Sequence, residues 1–360
     1  MAQIAANNGY EVVVGTWDRE PAGGAPTNQR GITFTIMRLR SFYGVRSLPF
    51  IPIWVTFALF RALFGGFSVI QASNLDGLVP ALLASAISRS KVIYDLADVY
   101  ADTYALNSIM LRRLSRSVEP SLLRRADALV LASEGQLSQI RGFNLPKTRM
   151  VFYNIPMNQP GVPGSSPNKP EASGKITLFF GGVMLLERYD ALRNVMKAIR
   201  GLPVRVLLAG FGEHTKLFEQ LHKMGDAEFL GKLTHAEIQE YTRRADAILL
   251  PYFSDYPNHS VALANKFFDA MEAGTIVLAP RHTLMGEITE KEGIGLLTDY
   301  RNVQEIRSSV ETLVEMGESD RRFMSVKGKT LFRTRFNTES MEKEYVSILD
   351  LVQRRQVSHD

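Results

Sequence analysis

Short β-branched and aliphatic runs alternate with segments of helical period along most of the chain, the pattern of parallel βαβ units. In the first half the pattern predicts strands at 11–15, 67–72, 91–95, 128–132 and 150–153, with helices at 77–87 and about 134–142. A second series has strands at 176–180, 204–209, 228–229, 247–250 and 276–279, with helices near 191–200, 215–223, 236–243 and 265–274. Each series predicts its own doubly wound parallel sheet. Between them, residues 157–174 are rich in Pro, Gly, Ser and Asn, which favours an extended linker over packed structure. After Arg301 the pattern is helical, and a mostly polar helix at about 338–352 is expected to pack back across both domains. The expected fold is α/β, with two Rossmann-like domains at 1–156 and 175–333, the linker 157–174, and a C-terminal helix and tail at 334–360.

The start of the chain departs from this scheme. Residues 2–8 read as the end of a helix, Gly9 as its C-cap and 10–15 as a strand, whereas a Rossmann half opens with a strand and a glycine-bearing turn. The first sheet is therefore expected to lack its first strand, as if the chain began at an internal methionine. A second departure is the stretch 48–70, where Arg61 is the only charge and the length could cross a bilayer. Pro49 and Pro52 interrupt its beginning and Gly65-Gly66 its end, so a helix over 54–64 followed by a buried strand is expected instead. That helix either packs inside or rests on a membrane surface through Trp54 and Phe57, with Arg38, Arg40 and Arg46 facing anionic headgroups.

Composition narrows the chemistry. A chain of 360 residues, 45% apolar, is too large for one ordinary core and suits two domains. Cysteine is absent, which excludes disulfides, thiolate metal sites and a cysteine nucleophile, and fits a cytoplasmic setting, including the inner face of a membrane. No basic segment, apolar core and small-residue cleavage site open the chain, so no signal peptide is expected. The 42 Lys and Arg against 37 Asp and Glu give a net charge of +5, which favours anionic partners. The arginine pairs are scattered at helix ends, so a nucleic-acid partner is not expected. Six histidines without an i, i+4 pair, and carboxylates without metal spacing, argue against a metal site.

The segment 257–280, PNHSVALANKFFDAMEAGTIVLAP, carries the most chemistry. A helix starting at Asn265 sets Lys266, Asp269 and Ala273 along one face at i, i+3 and i+7, with Gly274 closing it. It opens after a loop at a strand's carboxyl end, where open α/β sheets bind anions and nucleotides. An acid one turn into such a helix can accept hydrogen bonds from ribose hydroxyls; equally, Asp269 can simply favour the helix dipole. Gly181-Gly182 stands at the end of another predicted strand, with Arg188 six residues on. Two glycines let a phosphate approach the backbone, and a guanidinium grips diphosphate oxygens through its planar fork. Gly210-Phe211-Gly212 lacks the third glycine and the downstream acid of a dinucleotide fingerprint, so it is expected to be a tight turn beside the site.

The run NKFFDAMEAG at 265–274 resembles the donor-site helix of the retaining GT-B glycosyltransferases, the large nucleotide-sugar-dependent family of glycosyl transferases group 1. SNLD at 73–76 followed by GLVPAL is similar to that family's strand-to-helix turn in the acceptor domain. RRADA at 124–128 leading to Ser133-Glu134, and TRRADA at 242–247 leading to Pro251-Tyr252, resemble its later strand units. The likeness extends over nearly the whole chain. It implies transfer of a sugar from a nucleotide-diphosphate sugar, without an obligatory metal or other cofactor, in a cleft between the domains. The donor would meet Gly181, Gly182, Gly210, Asn265 and Lys266, with Asp269 at the ribose and Arg188 as the catalytic cation on the leaving diphosphate. Ser73, Asn74 and Asp76 would lie on the acceptor side, and the acceptor itself stays open among glycan, lipid-linked and small-molecule classes.

Three positions depart from the family pattern. Val261 stands eight before Asp269 where a first acid is usual, Ser73 where the turn often has histidine, and Val183 where a second phosphate-binding arginine is usual. Asp255 and His259 are polar neighbours that no spacing rule selects. The departures support a second expectation, a member that binds a nucleotide sugar or a partner glycosyltransferase without turnover.

Overall fold

The computed structural model describes residues 1–19, 28–29, 31–41, 44–102, 109–155 and 174–357. The chain divides into two compact units, one made of Met1–Tyr153 with Thr338–Asp360 and the other of Asn154–Asn337. The linker expected at 157–174 lies outside the described residues apart from Gly174.

The first unit contains α1 (Ala2–Asn7), β1 (Val12–Asp18), β2 (Asn28–Gln29), β3 (Ile32–Arg38), α2 (Ile51–Phe64) and β4 (Val69–Ser73). It continues with α3 (Asn74–Ser88), β5 (Lys91–Leu96), α4 (Ile109–Leu123), β6 (Ala128–Leu131), α5 (Gln136–Gln139) and β7 (Thr148–Val151). Its strands form two sheets where one was expected: β1-β3-β2, and the all-parallel β4-β5-β6-β7. No ladder joins β1 to β4, so each pairs on one side only among the described residues. Pro52 falls in the first turn of α2, where a missing N–H costs nothing, so the proline begins this helix and does not interrupt it.

The second unit contains β8 (Ile176–Val183), α6 (Leu186–Ala198), β9 (Val204–Phe211), α7 (Thr215–Glu219), β10 (Ala227–Phe229), α8 (His235–Arg244) and β11 (Ala247–Leu249). It goes on with α9 (Pro257–Val261), α10 (Asn265–Ala273), β12 (Ile276–Pro280), α11 (Leu284–Glu292), β13 (Gly295–Thr298), α12 (Val303–Glu315) and α13 (Glu318–Arg335). Six parallel strands in the order β10-β9-β8-β11-β12-β13 make one sheet. Covered on both faces, its central strands read as nearly unbroken apolar runs. Leu178, Phe180, Val206, Leu208 and Leu249 meet Leu192 and Val195 of α6 and Ile306 and Val310 of α12. Thr234 and Glu237 form a reciprocal capping box that starts α8, and Asn302 caps α12 through the Gln304 and Glu305 amides. The helix expected at 215–223 is broken into α7 and a 3-10 turn, Leu221–Met224, with Phe218 and Leu221 both buried.

The last helix, α14 (Thr338–Val357), was expected to cross both domains, but it belongs to the first unit. Tyr345, Ile348, Leu349 and Val352 enter a core with Ile93, Val130 and Met150 of its sheet and Ile4 of α1.

Candidate active site

The second unit gathers its chemistry at the carboxyl ends of β8 and β11. α6 begins after Leu185, five residues earlier than its apolar pattern suggested, which puts Arg188 in the first turn. Arg188 is buried, and its Cζ lies 3.6 Å from the centre of the Tyr252 ring. Its Nη1 donates to the Pro251 carbonyl at 3.4 Å, which helps hold the guanidinium over the ring. α10 supplies the second cation. Lys266, also in a first turn, donates from Nζ to the Tyr252 hydroxyl at 3.3 Å, and its amine stands 5.3 Å from the Phe180 ring centre. Burial pushes the Lys266 amine below its ordinary range despite the nearby Tyr252. Burial alone would raise the Tyr252 phenol, but Arg188 and Lys266 outweigh it and bring the phenol down.

The glycines act differently from the reading of their sequence. Gly181 and Gly182 lie inside β8, paired with Ala209 and Gly210 of β9. A Cβ at Gly182 would stand 3.1 Å from Lys266 Nζ, so this glycine makes room for the amine; one at Gly181 would meet Ile238 Cδ1 of α8 at 2.7 Å. Gly210 is a strand residue and not part of a tight turn. Its φ is +151°, and a Cβ there would fall 1.9 Å from the Gly182 carbonyl oxygen. The close approach of the two strands depends on it.

Asn265 opens α10 in an exposed position, and Gly274 closes the helix with φ +72°. Asp269, one turn in, is buried on the same face as Lys266, and its Oδ1 has no hydrogen-bond partner among the described residues. Burial raises its carboxyl to about 6. Of the two neighbours that spacing could not separate, Asp255 is held by Arg301 Nη2 at 2.8 and 2.6 Å on an exposed flank. His259 instead turns inward on α9, only 4% exposed, with its ring edge-on to Tyr252 at 5.0 Å. Neither ring nitrogen completes a hydrogen bond among the described residues, although the Phe253 backbone lies near. Burial, and then Arg188, lower His259 to about 4, so it is a neutral imidazole at physiological pH. Sequence reasoning missed Tyr252 as the ring that carries both cations. The apolar alternation around 247–253 gave no sign that one aromatic would face them.

In the first unit, Ser73, Asn74 and Asp76 stand where β4 passes into α3. Ser73 does not cap the helix; its hydroxyl donates to Asp95 Oδ2 on β5 at 2.8 Å. Asn74 carries φ +59°, a conformation asparagine tolerates better than most side chains. Burial raises both Asp76 and Asp95, with Arg19 partly offsetting it at Asp76 and Ser73 at Asp95. No group of three or more His, Cys, Asp or Glu gathers as a metal ion would require among the described residues.

Two family models match the chain. A glycosyl transferase 4-like domain covers residues 1–154, and glycosyl transferases group 1 covers residues 174–316. Among solved structures, the chain is similar to sucrose-phosphate synthase from Thermosynechococcus elongatus, at 14% identity and a TM-score of 0.79 over 100% of this chain and 92% of that one. It is similar to Anabaena HepE in complex with UDP and glucose, at 18% identity and a TM-score of 0.69 over 97% and 94%. It also resembles WaaG, a glycosyltransferase involved in lipopolysaccharide biosynthesis, at 16% identity and a TM-score of 0.66 over 96% and 93%. No curated protein matches the sequence.

Proposed function

The chain belongs to the group 1 glycosyltransferases and has their GT-B fold, and from that premise we propose that its second unit binds a nucleotide-diphosphate sugar and transfers the sugar, with retention, to an acceptor hydroxyl. One observation carries this reading. Two cations, Arg188 and Lys266, are packed against one buried phenol. Like charges enclosed together oppose each other, and a diphosphate between them would relieve that opposition. As the bond from the sugar's anomeric carbon to the diphosphate breaks, negative charge grows on the diphosphate oxygen, which the two cations stabilise most in the transition state. The acceptor oxygen bonds to the anomeric carbon, and its proton leaves with the diphosphate. The open Oδ1 of Asp269 accepts from the donor ribose.

A second reading, donor binding without turnover, is favoured by one residue. Val261 is apolar and buried on α9 where family members usually carry an acid. Titration and turnover with UDP-glucose, GDP-mannose and ADP-glucose, with and without candidate acceptor alcohols, separate the readings. UDP-glucose comes first because of the likeness to HepE. Tight binding with no sugar release would leave the binding reading standing, and failure of every donor to bind would sink both. The anomeric configuration of the first product, read by NMR, tests retention.

A further inference from the structure

Helix α2 is apolar on nearly every side, yet of its 14 residues only Ala62 is buried. Its inner face is engaged: Trp54 stacks on Trp17 at 6.4 Å, Phe57 lies 6.0 Å from Trp54, and the helix runs along α3. The aromatics that sequence alone singled out for a membrane, Trp54 and Phe57, therefore point into the protein. The outward row is Ile53, Phe60 and Phe64, at i, i+7 and i+11, with Phe60 and Phe64 stacked on each other and Phe64 80% exposed. Neighbouring helices extend the apolar surface. α3 offers Leu83 and Ile87, the latter 73% exposed, and α4, which also touches α3, offers Met110 and Leu114 in one row.

Charge along the segment that carries α2 has one sign. From residue 21 to residue 75 the chain carries Arg30, Arg38, Arg40, Arg46 and Arg61, with no Asp, Glu or Lys. The Arg46 side chain lies outside what is described. Arg61 is exposed on α2, Arg89 ends α3, and Arg112 and Arg113 are exposed on α4. A monomer seldom leaves so much apolar surface in water, and exposed arginines beside it, such as Arg112 and Arg113, match anionic lipid headgroups.

We propose that α2, α3 and α4 form a docking face for an anionic lipid bilayer, with Phe60, Phe64 and Ile87 inserted among the acyl chains and the arginines at the headgroups. The run Ser47–Phe64 is long and apolar enough to cross a membrane by composition. A crossing helix, however, would have to give up the Trp17 stack and the α3 contact, so α2 lies in the interface plane. This inference does not depend on the donor reading, and its test needs no catalysis.

The full chain is floated with vesicles of phosphatidylcholine and phosphatidylglycerol, and with pure phosphatidylcholine, at low and high salt. The two tryptophans, Trp17 and Trp54, pack behind the outward row, so a change in their emission on binding reports from α2 and β1. We expect flotation with the anionic vesicles, weakened by salt because headgroup attraction is screened. Phe60→Ser with Phe64→Ser should lower vesicle affinity by about tenfold or more, and Arg112→Gln with Arg113→Gln should lower it and flatten its salt dependence. Neither pair is buried, so an unchanged thermal melt confirms the fold in each variant. Absence of flotation with either vesicle overturns the proposal, as does binding that survives both double variants. Concentration-dependent dimerisation abolished by the phenylalanine changes, without vesicle binding, would assign the face to a second copy and overturn it too.

Discussion

Asp269 occupies a position that disfavours its own charge. Its carboxyl, 3.8 in a free chain, stands at about 6 in the fold because it is buried. A folded value above the unfolded one means the contribution to stability is complete below about pH 4 and lost as the pH rises through 6, a loss of about 3 kcal/mol. Asp269→Asn should therefore gain stability relative to the parent as pH rises from 4 to 7, read as a widening difference in Tm. It should also weaken donor binding, because an amide loses the charge-assisted bond to ribose. For the parent, donor Kd should rise by up to about tenfold per pH unit below 6, where the carboxylate is lost, and the variant should show no such slope. Arg188→Ala is expected to lower kcat by about a hundredfold and donor affinity much less, since diphosphate charge grows as the sugar leaves. Equal losses in steady-state kcat and in direct donor titration would contradict that role. Lys266 and Asp269 could be read in sequence because helical spacing alone sets them on one face. His259 could not, because its inward turn rests on tertiary packing against Tyr252.

At the scale of elements, α10 depends on its closing glycine. Gly274 has φ +72°, and a Cβ there would meet Lys329 Cε and Ser325 Oγ of α13, each at 2.5 Å. Both are side-chain atoms that can move, so backbone strain dominates. Gly274→Ala should cost about 1 to 2 kcal/mol, read by chemical denaturation, and should weaken donor binding because Asp269 rides on the same helix. Full affinity and stability in this variant would show that the cap does not position the site. Buried elements were the legible ones. The strands β8, β9, β11 and β12 have apolar runs on both faces, and α10 has a clear face and a glycine stop. β3, whose ITFTIMR alternates, was not among the strands the pattern predicted. α4 was missed because its apolar row faces outward and its Glu119 faces inward, accepting from Tyr94 at 2.9 Å, so the polarity pattern is partly inverted.

For the whole molecule, the second unit has the single parallel sheet that was expected, whereas the strands of the first divide into two. β8 is paired on both sides, by β9 and β11, whereas among the described residues β1 pairs only with β3 and β4 only with β5. Hydrogen exchange followed by mass spectrometry should find the amides of β1 and β4 exchanging about tenfold or more faster than those of β8. Equal protection across the three would mean that the two sheets of the first unit are stabilised as one. The period of the pattern announces a strand, but pairing is a long-range property that no local run of residues encodes. The place of α14 has a consequence for how the protein is made. Its Tyr345, Ile348, Leu349 and Val352 complete a core of the first unit, yet all of Asn154–Asn337 is translated before them. At ordinary elongation rates that interval lasts roughly 10 to 40 s. During it the second unit can fold in full on the ribosome, while the first waits with one face of its sheet bare, so the domain translated first is the last to be finished.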